Sequence, residues 1–424
     1  MKNLYLFVLL NVMLTNAYSQ KMDDINEMIG KNQFNEARVA IEKYLSNPKK
    51  SSDAEGWYRK GIVYNSLSKE SNMPMDTILA LKSSSYDAFR KNQSVDSKDL
   101  FMMLENYVSY IDLYYGFYDL GVKQFNEKHF SAAMEAFKKA IEVKDYILMK
   151  KYEYNQVKLY KLDTSLVMNL AAAADNANKE DEAVKYYREI MSANVFGAEY
   201  KFIYEYLLVH YMQKDDDVSM NEILKIVKVH YPESIDTWLD TEIKAASKKG
   251  DLSLLFKKYD QLIAENPSNF ILPYNYAAEM YNTLYGKDAV NAGNIDISNK
   301  LTETIKKAIN NESNGENTAA TLMTNHLYNM AAELIDKSNA IKGAKSEDLK
   351  KKTDLKSLAN KTMDECIVYC DQMVKFYEAI SSKSAIQKAN YKIILGYLSD
   401  MYNLKKNPVK AAEYDKKNAA ADRM

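Results

Sequence analysis

The chain has 424 residues, and 57 Lys and Arg almost balance 58 Asp and Glu, for a formal charge of −1. That leaves no basic surplus for a nucleic-acid partner, and a hydrophobic content of 47% is too high for a disordered chain. Gly (12) and Pro (6) are scarce, which starves a β protein of turns and excludes collagen-like or linker-rich designs, so a mostly α-helical protein is expected.

In chain order, the first element reads as an export signal. Lys2 gives a positive start, Leu4 to Leu14 is almost unbroken apolar sequence, and Ala17-Tyr18-Ser19 places small residues where a signal peptidase reads. Residues 1–19 are therefore expected to be removed before Gln20, and with no Cys following, no lipid anchor is expected. The apolar run is too short for a spanning helix. The mature chain is expected to be soluble in the periplasm or cell envelope, without a transmembrane anchor. Phe34, Ala37 and Ile41, ending near Pro48, then form the second helix of an opening helix pair.

Three segments that follow repeat one spacing. The first is Trp57-x2-Lys60-Gly61-x2-Tyr64. The second is Phe117-x2-Leu120-Gly121, continuing through Phe130, Ala133, Phe137 and Ala140. The third is Val167-x2-Leu170-Ala171-x2-Ala174, continuing through Ala183, Tyr187 and Ile190. The pattern resembles the tetratricopeptide repeat, paired antiparallel helices with a W-x2-LG-x2-Y…A-x3-F signature. In physical terms Trp57, Phe117 and Tyr64 fill gaps between helices, while Gly61, Gly121, Ala133 and Ala183 let helices approach; Leu120, Phe137 and Tyr187 complete the packing set. Weaker copies follow: Tyr204, Leu207, Leu208 and Tyr211, then Met220, Leu224 and Val227; Trp238 and Ala245, then Leu255, Tyr259 and Leu262; Tyr274, Ala277, Ala278 and Tyr281, then Leu301, Ile305 and Ala308. Past Asn314 the pattern degrades, with a last pair running from Leu395, Leu398 and Tyr402 through Ala412 and Ala419. The expected architecture is an all-α, α/α superhelical solenoid, with residues 20–314 as the repeat array and 315–424 as degenerate repeats continuing it.

Local signals fit this frame. Asp163 precedes a helix starting near Thr164, and Pro232 and Pro267 follow helices that they could not continue. Stretches 66–81, 282–296 and 339–347 lengthen turns between helices of a pair. Of the Asp215-Asp216-Asp217 triplet, Asp217 is expected to cap the next helix. Lys350-Lys351-Lys352 reads as a solvated helix face. Cys366 and Cys370, four apart on one face, read as two small half-buried side chains, with a redox role as the other reading.

No catalytic pattern appears. The histidines, His129, His210, His230 and His326, form no H-E-x-x-H motif and no pair four apart. Gly116-x4-Gly121 is followed by Val122 and not the lysine of a phosphate loop, and no G-x-S-x-G elbow occurs. No enzymatic activity, cofactor or metal is expected, and no titratable cluster is visible. What the resemblance implies is a protein-binding scaffold that grips a partner segment in a groove lined by the first helix of each pair. The alternative is a helical-repeat accessory component of an envelope uptake or enzyme complex.

In that family the groove positions lie two before and one, five, eight and nine after the opening aromatic. Across the six units opened by Trp57, Phe117, Val167, Tyr204, Trp238 and Tyr274 these thirty positions contain no Lys, Arg or His, five acidic and five aromatic residues. The groove therefore departs from family members that hold an acidic tail with lysines and arginines. The expected ligand is a protein or peptide segment that is apolar, aromatic or mildly basic, with Tyr58, Tyr115, Tyr118, Phe125, Phe202, Glu205 and Met212 as candidate contacts.

Overall fold

A computed structural model describes residues 21–70, 73–96, 98–154, 157–313, 315–343 and 345–421; the expected export signal and its expected cleavage point lie outside them. Among the described residues there are nineteen α-helices and no strand, only an isolated bridge between Tyr154 and Val157. The chain divides into two compact units, one ending at Lys214 and the other beginning at Asp215.

The first unit contains α1 (Met22–Gly30), α2 (Phe34–Leu45), α3 (Ala54–Leu67), α4 (Met75–Val95), the short α5 (Leu100–Leu104), α6 (Val108–Asn126), α7 (Phe130–Lys150), α8 (Thr164–Asn176), α9 (Glu180–Ser192) and α10 (Lys201–Gln213). Apart from α5, consecutive helices pack on one another, and first helices also touch across pairs, α1 on α3 and α6 on α8. This is the nearest-neighbour organisation of a helical-repeat solenoid, in which each pair buries its apolar face only against the next.

The second unit contains α11 (Asp217–His230), α12 (Ile235–Lys248), α13 (Leu252–Glu265), α14 (Ile271–Tyr285), α15 (Ile295–Asn311), α16 (Thr318–Ala340), α17 (Ser346–Ala379), α18 (Ala385–Leu404) and α19 (Pro408–Ala421). Here too each helix packs on its successor, with α14 on α16 and α16 on α18. α17 spans 34 residues, and its length accounts for the fading of the repeat pattern beyond residue 314.

Helix ends explain how so few glycines suffice. The tight turns between α1 and α2, α6 and α7, α8 and α9, and α18 and α19 each contain one left-handed residue: Asn32, Lys128, Asn178 and Lys406. Only the α12–α13 turn uses glycine there, Gly250 with φ 69°. Asn tolerates this conformation best after Gly. Side-chain oxygens of Asp53, Asp163, Asp251 and Asn294 accept backbone N–H bonds at the starts of α3, α8, α13 and α15.

Several sequence expectations need correction in detail. Asp216, not Asp217, caps α11, accepting from Ser219 N at 3.0 Å; Asp217 is the first helical residue and pairs with Lys249. In α19 the buried alanines are Ala411 and Ala421, whereas Ala412 and Ala419 are exposed. In α14 the wholly buried aromatic is Tyr276 and not Tyr274, because Leu272 and Pro273 already point inward at the helix start. Cys366 and Cys370 are fully buried, not half-buried, with sulfurs 3.8 Å apart and the Cys366 thiol facing Thr324 O at 3.5 Å. That neighbouring thiol, together with burial, pushes the Cys370 thiol far up its scale, away from the reactive thiolate.

Two segments of the first unit that the repeat pattern does not account for meet each other. Residues 98–107, which include α5, and residues 151–154 of the connection after α7 come together where Tyr107 stacks on Tyr152 at 3.7 Å. The Tyr154 hydroxyl donates to Tyr107 O at 2.9 Å. Gln93 bonds to Asp99, Tyr146 and Tyr152 within the same cluster, and the Arg90 guanidinium lies 4.0 Å from the Tyr146 ring centre. The rings of Tyr146, Tyr152 and Tyr154 bury apolar bodies while their hydroxyls stay bonded.

Candidate functional site

The packing positions occupy the interior. Phe117, Ala133 and Ala183 are wholly buried, and Leu120, Phe137 and Tyr187 nearly so. A Cβ on Gly61 would strike the Phe89 ring, and one on Gly121 would strike Phe137, so both glycines exist to seat an aromatic ring from the second helix of the pair. Tyr64 is half-buried and donates to Glu42 Oε1 at 2.6 Å; burial and that carboxylate push its phenol up to about 12. Trp57 is also half-buried, with its indole N–H donating to Ser51 O at 2.8 Å.

The opposite face of the first helices is open in the first unit. All five groove positions on each of α6, α8 and α10 are exposed or half-exposed. Tyr115 is 46% exposed and Phe202 43% exposed. Tyr118, half-buried, accepts from Asn169 Nδ2 at 3.2 Å and leans edge-on toward Phe137. This bond ties α6 to α8, and the Tyr206 hydroxyl, donating to Asp175 Oδ1 at 2.8 Å, ties α10 to α8. Phe202 stands perpendicular to Tyr187 at 6.0 Å. Glu205 pairs with Lys201 at 3.6 Å, and Met212 is half-buried near the end of α10. Phe125 packs edge-on against Phe130, closing the α6–α7 turn.

Tyr58 differs from these. Its ring stacks on Phe101 of α5 at 5.4 Å, and its hydroxyl donates to Glu105 Oε2 at 3.0 Å. The chain itself therefore covers the groove position on α3. Asn65, another groove position there, is buried and donates to Asp112 Oδ2 at 2.6 Å.

One constellation was not visible in the sequence. Asp175, Asn178, Glu180, Tyr206, Val209, His210 and Gln213 line a cavity of about 380 Å3 where α8, the start of α9 and α10 meet. His210, 8% exposed, donates through Nδ1 to Glu180 Oε1 at 2.6 Å, and that bond is the main reason the Glu180 carboxyl sits below its usual range. The expectation of no titratable cluster is thus corrected. Its bonded partners, Asp175 with Tyr206 and Glu180 with His210, are 31 and 30 residues apart, and only the stacking of one pair on the next joins them. Three of them (Asp175, Val209 and Gln213) fall on groove positions. Among the described residues no three His, Cys, Asp or Glu side chains are placed to hold a metal ion, and no helix is long and apolar enough to cross a membrane.

No protein-family profile matches the chain, and no curated protein matches it. Among solved structures it is similar to a circular tandem repeat protein with novel repeat topology and enhanced subunit contact surfaces. That alignment has 10% identity over 95% of this chain and 88% of the other, with a TM-score of 0.17. It is also similar to the APC/C hetero-tetramer Cut9-Hcn1, with 12% identity over 93% of this chain and 95% of the other and a TM-score of 0.15. Scores this low add nothing to what the chain's own stacked helix pairs establish, an all-α helical-repeat fold.

Proposed function

We propose that the protein is a non-catalytic protein-binding scaffold of the cell envelope, exported by its N-terminal signal and gripping a partner segment along α6, α8 and α10. The observation that carries this reading is the contrast within those helices. Their packing positions are buried, while the groove positions stay accessible, include Tyr115, Tyr118 and Phe202, and contain no Lys, Arg or His. An aromatic face without cations favours apolar, aromatic or mildly basic segments over an acidic tail. Large amphipathic rings are the side chains that most often dominate such contacts.

The test is capture of the native partner from envelope extracts by the mature protein, followed by affinity measurement with the Tyr118→Ala, Phe202→Ala double variant. The reading expects at least about a tenfold loss, since two aromatic anchors each contribute on the order of 1 kcal/mol or more, with an unchanged circular dichroism spectrum. A partner held equally well by the folded double variant sinks it.

A further inference from the structure

The cavity between α8, α9 and α10 has an unusual hydrogen-bonding inventory. Two short hydrogen bonds lie inside it: the Tyr206 hydroxyl on Asp175 Oδ1 at 2.8 Å and His210 Nδ1–H on Glu180 Oε1 at 2.6 Å. With Nδ1 donating, the neutral imidazole offers Nε2 as an acceptor. Nε2 belongs to a side chain more than nine-tenths buried against the cavity, and no described residue bonds to it. Asp175 Oδ2 likewise accepts no hydrogen bond from a described residue. Glu180 Oε2 has only Lys214, which approaches to 3.9 Å from a side chain that is 54% exposed, beyond hydrogen-bond range. Three acceptors, two of them on carboxylates, therefore line one cavity without a hydrogen bond from a described residue.

We propose that this cavity anchors a cationic side chain, the guanidinium or ammonium head of an Arg or Lys in the bound segment. This rests on the groove reading and deepens it. Such a head supplies several donors at once and the positive charge that two carboxylates favour. A metal ion would need a ligand set that the described residues do not provide. Val209, 47% exposed at the cavity wall, gives the aliphatic stem an apolar surface, the usual arrangement for a long basic side chain. The inference makes the ligand specific: an apolar or aromatic segment carrying one basic residue, in register with α8 and α10.

The experiment uses the mature full-length chain with histidine side chains isotopically labelled, titrated with N-acetyl-arginine amide, N-acetyl-lysine amide and N-acetyl-citrulline amide. The His210 ring resonances report the site, and His129, His230 and His326 serve as internal controls. Saturable shifts confined to His210 are expected with the arginine or lysine probe, whichever binds more tightly naming the head group, and none with uncharged citrulline. Asp175→Asn and Glu180→Gln both retain an acceptor for Tyr206 and His210, so the fold is kept. Each is expected to weaken probe binding by about three- to fivefold, the range of a partly exposed, charge-assisted contact. Citrulline binding as well as arginine, probe binding unchanged in the Asp175→Asn, Glu180→Gln double variant, or no saturable shift at all would each overturn the inference. The groove reading is judged separately, by partner capture with the Tyr118 and Phe202 variants.

Discussion

Some of the same repeat positions differ in burial between α6, α8 and α10 of the first unit and α12 and α14 of the second. On α6, α8 and α10 of the first unit none of the groove positions is buried. On α12 and α14 of the second, Leu239 is 2% exposed, Leu272 4%, and Ala246 and Thr283 9% each. Leu239 and Leu272 meet Leu262 of α13 in one apolar cluster, which takes these two positions out of the accessible face. At the position after the opening aromatic, side-chain chemistry explains the difference. A leucine one residue after Trp238 has no polar tip to satisfy and gains by full burial. The residue at the same place after Phe117 is Tyr118, whose hydroxyl takes a hydrogen bond at the surface. At this position the occupant decides between an open and a packed side chain.

The largest expected effect tests this contrast directly. Leu239→Ala removes a fully packed side chain and should destabilise by about 2–5 kcal/mol, whereas the exposed Phe202→Ala should stay within about 1 kcal/mol. Denaturant unfolding with hydrogen exchange resolved by segment would measure both. Equal losses at the two sites would mean that the first unit's face is packed, not open.

Next in size is a pH effect confined to the second unit. His326 is fully buried, with Nε2 2.8 Å from Thr302 Oγ1 and Nδ1 3.2 Å from the Tyr285 hydroxyl. Burial pushes its pKa from 6.5 down to about 4. The unfolded chain takes up this proton as pH falls through the ordinary histidine range, and the folded chain resists until about pH 4. Stability is therefore full above that range and falls between about pH 6.5 and 4, by a loss on the order of 3 kcal/mol. His326→Gln should flatten that part of the profile. If the variant and the parent lose the same stability between pH 7 and 4.5, His326 is not the cause.

How far the sequence reveals such differences depends on how local the signal is. Gly61 and Gly121 were legible because a helix-pair crossing leaves its mark within one repeat. Asp163 was legible because a cap needs only the next three residues. The Asp175–Tyr206 and Glu180–His210 pairs were not, since each joins two repeats through a stacking that no spacing within a repeat records. Nor was the cover over Tyr58: α5 is five residues long, too short for a periodic pattern. One-residue slips such as Ala412 for Ala411 arise because alanine runs fit two helical registers equally well.

An intermediate effect concerns those close crossings. Gly121→Ala and Gly61→Ala each force a methyl against a ring and should destabilise by about 1–3 kcal/mol, reduced by the roughly 1 kcal/mol that alanine gains over glycine within a helix. Gly30, with nothing within 4 Å of its missing Cβ, is the control, and Gly30→Ala should be neutral or slightly stabilising. Thermal unfolding of the three variants would show the ordering. Gly121→Ala as stable as the parent would mean that Phe137 has another place to go.

The smallest expected effect decides where the open face ends. Phe101 stacks on Tyr58 with an interplanar angle of 22°, and burial, with Glu105 adding to it, holds the Tyr58 phenol at about 12. Phe101→Ala should cost about 0.5–1.5 kcal/mol, the value of one aromatic pair, and should speed hydrogen exchange in α5 and α3 while leaving α8 and α10 unchanged, because coupling in such arrays is between neighbours. If α5 only covers α3, partner affinity stays the same or tightens as Tyr58 joins the aromatic face beside Tyr115 and Tyr118. A loss of affinity as large as that from Phe202→Ala would instead make Phe101 a contact residue and extend the binding face onto α5, where Leu100, Met103 and Leu104 are exposed.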